Sequence, residues 1–266
     1  MNQRTIIITG SGRSGTYNIH EFLKNYSNYS VHHELNFNKM LKAGVLSYES
    51  VITESYSSEL VDGYLRDLHQ KKPVGVDVSN AAIWCINELH TYCEDAEFHM
   101  VIRNGYKVVS SFYYKFQELM YPESKIRFAQ AAFKNKKFEY PLDKTFWRPL
   151  PQDLEFYEKY ERHLRFAIIC WYWTETIKYF EENIDIFTGL YRFEDIVSGL
   201  ELEQFCEDLG IEYSAEKMLK FFKRPTNIDS RVNYKLSKEQ KRIFMEICGD
   251  HMNKYYPNMD YYDVKY

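Results

Sequence analysis

The stretch Thr5-Ile6-Ile7-Ile8-Thr9, followed at once by Gly10-Ser11-Gly12-Arg13-Ser14-Gly15, constrains this chain more than any other part of it. The β-branched run predicts a strand, and Tyr17, Phe22, Leu23 and Tyr26 beyond the loop carry the apolar spacing of a helix. Glycines let the backbone turn successive N–H groups toward a ligand, and the opening helix adds unpaired donors and the positive end of its dipole. A strand, tight turn and helix in this order suit a phosphate or a similar oxyanion.

Gly10 and Gly15 have the spacing of a Walker A loop, but Thr16 stands where that motif needs Lys and Tyr17 where it needs a metal-binding hydroxyl. The cation lies inside the loop instead, as Arg13.

The same alternation then repeats. Tyr29–His33 reads as a strand with Glu34 at its end, Asn36–Gly44 as a loop, and Ser50–Leu68 as one or two helices. Pro73–Val78 is a strand ending in Asp77, Ser79 and Asn80, Ala81–Tyr92 a helix, and Phe98–Ile102 a strand whose first polar successor is Arg103. Gly105–Leu119 and Glu158–Glu182 read as helices, Asp185–Phe193 as a strand, and Ser237–Tyr255 as a helix with the capping-box pair Ser237 and Gln240. This predicts an α/β fold of three layers, a central, mainly parallel sheet flanked by helices, with ligands at the carboxyl edge where Arg13, Glu34, Asp77 and Arg103 would meet. The chain is expected to be one domain over residues 1–266. Its proline-punctuated stretch at about 121–157 reads as an insertion covering the substrate.

Composition narrows the function classes. A net charge of −4 argues against a general nucleic-acid-binding protein while leaving room for a local basic pocket. Five scattered cysteines without a CxxC pair point to reduced thiols rather than a disulfide framework or a zinc site. Met1 to Arg4 runs directly into the first strand, and no apolar run approaches the ~20 residues needed to cross a bilayer. The expectation is a cytoplasmic chain with no transmembrane segment.

Arg13-Ser14-Gly15-Thr16 after a hydrophobic strand resembles the 5′-phosphosulfate loop of sulfotransferases that use 3′-phosphoadenosine 5′-phosphosulfate (PAPS). Arg103-Asn104, with Ser111-Phe112-Tyr113-Tyr114 beginning eight residues after the Arg, is similar to the family's 3′-phosphate site, and a guanidinium fork with a converging hydroxyl suits that task. The resemblance is to the carbohydrate-type and bacterial branch more than to the cytosolic one, whose Gly-rich Arg-Lys-Gly segment this chain lacks. It implies a P-loop-like sulfotransferase fold with Gly12, Arg13, Ser14, Gly15, Thr16 and Tyr17 on the phosphosulfate, and Arg103 and Ser111 on the 3′-phosphate. Tyr191-Arg192-Phe193-Glu194-Asp195 is similar to a family segment whose aromatic packs near the adenine, so Phe193 or Tyr191 takes that role or simply packs in the core. Arg231 in a basic C-terminal loop is assigned to cofactor phosphate.

The resemblance further implies Glu34 as the general base that takes the acceptor's proton, with His33 and Asp77 as second choices, and Arg13 stabilising charge on the departing phosphate. No metal is required of such a site. The expected reaction is in-line sulfuryl transfer from PAPS to the hydroxyl of a small-molecule or glycan acceptor, a glycan or glycolipid being favoured. The alternatives are an atypical P-loop small-molecule kinase, which would need Mg²⁺ and ATP, and a nucleotide-binding regulatory protein that has lost catalysis.

Overall fold

A computed structural model describes residues 3–70, 72–116, 120–134, 148–212, 221–222 and 235–257. Five strands, β1 (Arg4–Thr9), β2 (Tyr29–His33), β3 (Val74–Val78), β4 (Glu97–Ile102) and β5 (Phe187–Arg192), form one sheet in the order β2-β3-β1-β4-β5. Every pairing is parallel, and the sheet is flanked by helices. Ile6, Ile7 and Ile8 are fully buried, as befits a central strand covered on both faces.

The described chain divides into two compact units, residues 1–103 with 179–228 and residues 104–178 with 229–266. The first holds the sheet together with α1 (Thr16–Leu23), α2 (Phe37–Tyr48), α3 (Glu54–Leu68) and α4 (Ile86–Tyr92). Its core packs Ile6, Ile8, Ile19, Val76 and Val101 against Phe205 and Leu209. At the amino edge of the sheet Arg4 grips Glu97 with both arms of its guanidinium, at 2.7 and 2.6 Å, and reaches the carbonyl of Leu209 at 2.9 Å. The forked geometry makes this a strong form of ion pair and pins β1 to β4 at the end opposite the glycine loop.

The second unit contains α5 (Gly105–Lys115), α6 (Glu123–Lys134), α7 (Leu154–Lys159) and most of α8 (Leu164–Glu182). Arg165 binds the α5 end of this unit, donating to the carbonyls of Tyr113 at 3.0 Å and Met120 at 3.1 Å while stacking over the Tyr113 ring. A cavity of about 550 Å³ opens beside it, lined by Arg127, Gln130 and Arg162 among others. After α9 (Phe193–Ser198) and α10 (Leu202–Asp208) in the first unit, α11 (Lys238–Tyr255) in the second begins with the expected capping box between Ser237 and Gln240.

Two local readings of the sequence change, at residues 37–48 and 158–182. Residues 37–48 are helical rather than a loop: Met40, Leu41, Ala43 and Val45 are buried, and Gly44 lets α2 press on Trp84, whose Cβ would lie 2.6 Å from a side chain there. The polar start at Asn36, Asn38 and Lys39 hides that apolar face. The stretch 121–157 contains α6 and the start of α7, and the long helix expected over 158–182 is broken by a 3₁₀ turn at Glu161–His163.

Candidate anion-binding site

The loop between β1 and α1 is built from left-handed backbone. Gly12, Arg13 and Gly15 have φ of 75°, 54° and 95°, and for Arg13 that conformation costs roughly 1–2 kcal/mol. Surrounding groups hold it there. Arg103, just past β4, donates from Nη1 to the Arg13 carbonyl at 2.9 Å. A side chain on Gly10 would overlap the Val101 carbonyl and stand 2.6 Å from Ser14 Oγ. A side chain on Gly15 would overlap the ring of Phe193.

The loop also has donors to satisfy. No side chain caps α1 at Gly15, and its first turn carries no acidic residue. Ser14 is fully buried, yet its Oγ has no hydrogen-bond partner among the described residues. A buried hydroxyl without a partner costs about 1–3 kcal/mol, which an acceptor in the loop would recover. The uncapped helix end and left-handed turns supply the field that favours an anion there.

Register brings the other candidates to the same edge. Ile8 of β1 lies beside Val78 of β3, and Val78 beside His33 of β2. Adjacent strands are ~4.8 Å apart, so Glu34 begins about 10 Å from the start of the loop across the sheet. Thr9 Oγ1 donates to the Ser79 carbonyl at 2.8 Å, tying the two strand ends together.

Two solved sulfotransferases are similar to this chain in structure. The sulfotransferase domain from the curacin biosynthetic pathway matches with a TM-score of 0.44 and 15% identity over 92% of this chain and 97% of that one. The sulfotransferase from Alicyclobacillus acidocaldarius matches with a TM-score of 0.49 and 12% identity over 99% of this chain and all of that one. No protein-family model and no curated protein matches the sequence.

Glu34 lies outside β2, in a left-handed conformation (φ 56°), and its Oε1 accepts from the Asn80 side-chain amide. The alternation of a strand therefore does not decide where its side chain goes relative to His33. The His33 ring turns edge-on to Tyr17, with centroids 5.5 Å apart, and lies 5.3 Å from His20. Burial, with His20 adding to it, lowers the His33 pKa to about 4, so the ring is neutral at physiological pH. Asp77 is buried beneath this turn, accepting from Leu35 N–H at 3.2 Å and from the Tyr64 hydroxyl at 2.9 Å. Burial raises its pKa to about 7, and the nearby charge of Glu34 pushes the same way.

The remaining candidates divide. Thr16 is buried at the start of α1, and Tyr17 is exposed. The Phe193 ring belongs to the core of the first unit and also touches Gly15 and the Arg103 guanidinium, which lies 5.3 Å from its centroid, so it supports the loop. Tyr191 is buried, with its hydroxyl on Asp208. Ser111 is buried on α5 in the second unit, and that helix is capped by Asn104, whose Oδ1 accepts from Tyr106 N–H at 3.0 Å. Arg231 lies outside the described residues.

Sequence reasoning gave no role to Asn80 or to Ser79, although it placed both at the end of β3. Ser79 is fully buried, with its hydroxyl unpartnered among the described residues. Among the described residues no group of three or more His, Cys, Asp or Glu is arranged to hold a metal. None of their helices is long and apolar enough to cross a membrane.

Proposed function

We propose that this chain is a PAPS-dependent sulfotransferase acting on an acceptor hydroxyl. The observation that carries the proposal is the bond from Arg103 to the Arg13 carbonyl, which joins the end of β4 to the glycine loop of β1. That bond supports reading the glycine loop and Arg103, two separate anion sites in the sequence, as parts of one site. The unpartnered Ser14 hydroxyl and the uncapped end of α1 fit the phosphosulfate end of the donor, with Gly12, Arg13, Gly15, Thr16 and Tyr17 around it. Arg103 and Ser111 are assigned to its 3′-phosphate, and Arg231 to a further phosphate contact.

PAPS supplies an activated sulfuryl group on a phosphate leaving group. The chain's own task is to hold that group still, take a proton from the acceptor and neutralise charge on the departing oxygen. Backbone N–H groups of the loop and the Arg13 guanidinium perform the first and last, already oriented before the acceptor arrives. Glu34, anchored by Asn80, takes the acceptor's proton. Thr16 in the Walker Lys position speaks against the kinase alternative, which depends on that cation. We place the protein in the cytoplasm and favour a glycan or glycolipid acceptor.

The test combines a thermal-shift comparison of adenosine 3′,5′-bisphosphate with ATP and AMP and transfer assays with labelled PAPS across an acceptor panel. A selective rise with the bisphosphate, transfer to a hydroxyl and loss of transfer in Arg13→Ala are expected. A preference for ATP with Mg²⁺ would replace this reading with the kinase, and tight bisphosphate binding without transfer to any acceptor would replace it with the regulatory protein.

A further inference from the structure

The turn carrying Glu34 has positive φ at two residues. Glu34 and Asn36 stand at 56° and 53°, a conformation that Asn adopts readily but that costs Glu34 roughly 1–2 kcal/mol, so its surroundings must hold it there. The surroundings are specific. Glu34 N–H donates to the Val78 carbonyl at 3.2 Å, and Phe37 N–H donates to the Glu34 carbonyl at 3.1 Å. Asn36 Nδ2 donates to Asp67 Oδ2 at 2.9 Å. Between these two residues, Leu35 N–H donates to Asp77 Oδ1. The carboxylate of Glu34 itself is held by Asn80.

We propose that Asp77 and Asn80, at the end of β3, are positioning residues that clamp Glu34 as the base: Asp77 fixes its backbone turn through Leu35, and Asn80 fixes its side chain. The proposal rests on the sulfotransferase reading for what Glu34 does, and on the geometry alone for how Glu34 is held. Asp77 and Asn80 bracket Val78, whose carbonyl binds Glu34 N–H, so one short strand end grips the turn at three points.

The clamp has a reason to be a carboxylate. Asp77 faces backbone N–H groups, Leu35 at 3.2 Å and Val78 beside it, which can only donate, and the Tyr64 hydroxyl from α3, which donates to it in this arrangement. An ionised carboxylate accepts from all of them, whereas a protonated one must find an acceptor for its own hydrogen. The charged and titratable groups facing Asp77 are Glu34 from the turn and Tyr64 from α3. Burial and the Tyr64 contact with Asp77 keep the phenol protonated by raising its pKa. The clamp is therefore tightest above the pH at which Asp77 ionises, about 7.

The experiment measures kcat, KM for the acceptor and bisphosphate affinity from pH 5 to 9 in wild type, Asp77→Asn, Tyr64→Phe and Asn80→Ala. A rise of wild-type kcat centred near pH 7 is expected, absent in Asp77→Asn and displaced in Tyr64→Phe. At pH 8, Asp77→Asn and Asn80→Ala should each lose at least about tenfold in kcat, with bisphosphate affinity within about twofold of wild type. A merely structural role would lower the active fraction, and with it apparent kcat, by one factor at every pH, leaving KM, bisphosphate affinity and the shape of the pH profile as in wild type, so the moved pH profile is the deciding readout. Should Asp77→Asn fail to fold, Tyr64→Phe, which loses one hydroxyl, and Asn80→Ala carry the decision. Wild-type kcat and pH profiles in the folded variants, with Glu34→Gln inactive, overturn the clamp and leave sulfuryl transfer standing. A wild type that neither binds the bisphosphate nor transfers sulfuryl overturns the functional reading, and the catalytic role of the clamp falls with it.

Discussion

The ring of Phe193 occupies the space into which any side chain on Gly15 would have to project. Gly15 also has φ of 95°, so two separate constraints demand glycine at the point where the loop becomes α1. Gly15→Ala should displace the loop or the ring and weaken adenosine 3′,5′-bisphosphate at least about tenfold. Isothermal titration of the folded variant reads this directly. Undiminished affinity would show that the loop's shape is not what binds the nucleotide.

Arg103 contributes a bond to the Arg13 carbonyl and a charge stacked on Phe193. Lys keeps the charge but loses the planar fork, and Ala loses both. Hydrogen bonds made by charged groups contribute about 1.5–3 kcal/mol, so Arg103→Ala should weaken bisphosphate binding by roughly ten- to a hundredfold. Arg103→Lys should fall between Ala and wild type. Equal affinity in all three proteins would remove Arg103 from the site.

Asp77 should make the protein less stable as pH rises. Its ordinary value is near 3.8, while burial in the folded chain raises it to about 7. Between those values the folded chain binds more protons than the unfolded one, so stability is fully present below about pH 4 and is lost up to about pH 7. From pH 5 to pH 8 the loss is about 2–3 kcal/mol. Asp77→Asn cannot ionise, and urea unfolding should show its stability relative to wild type improving by that amount across the interval. An unchanged difference at the two pH values would mean that Asp77 ionises normally. Together with the proposed clamp, this describes a residue that assists turnover at a cost in stability.

The sheet was legible because parallel strands buried on both faces read as near-continuous apolar runs, as in Ile6 to Ile8 and Met100 to Ile102. Its carboxyl edge was readable at Arg13 and Arg103, which come after such runs, and less so at Glu34, which follows the mixed stretch Tyr29–His33, and at Asp77, which lies one residue inside the end of β3. What stayed hidden depends on contacts between distant segments. The direction of Glu34 is one such feature, because the chain leaves β2 there by a left-handed turn. That turn is held by Asp67, Asp77 and the Val78 carbonyl, all more than thirty positions away, so no local pattern reveals it. Phe193, read as a neighbour of adenine or as core, lies against Gly15 and Arg103, a relation that no local spacing encodes. Asn80 looked like ordinary loop polarity until its amide was seen on Glu34.

β1 is the middle strand of five, and its loop takes its shape from a guanidinium 90 positions further along the chain. Contacts between such distant segments form only after the entropy of closing the intervening chain has been met. During synthesis, then, the ribosome releases the glycine-loop sequence early, but the loop gains the Arg103 contact that holds it only once β4 has emerged and docked.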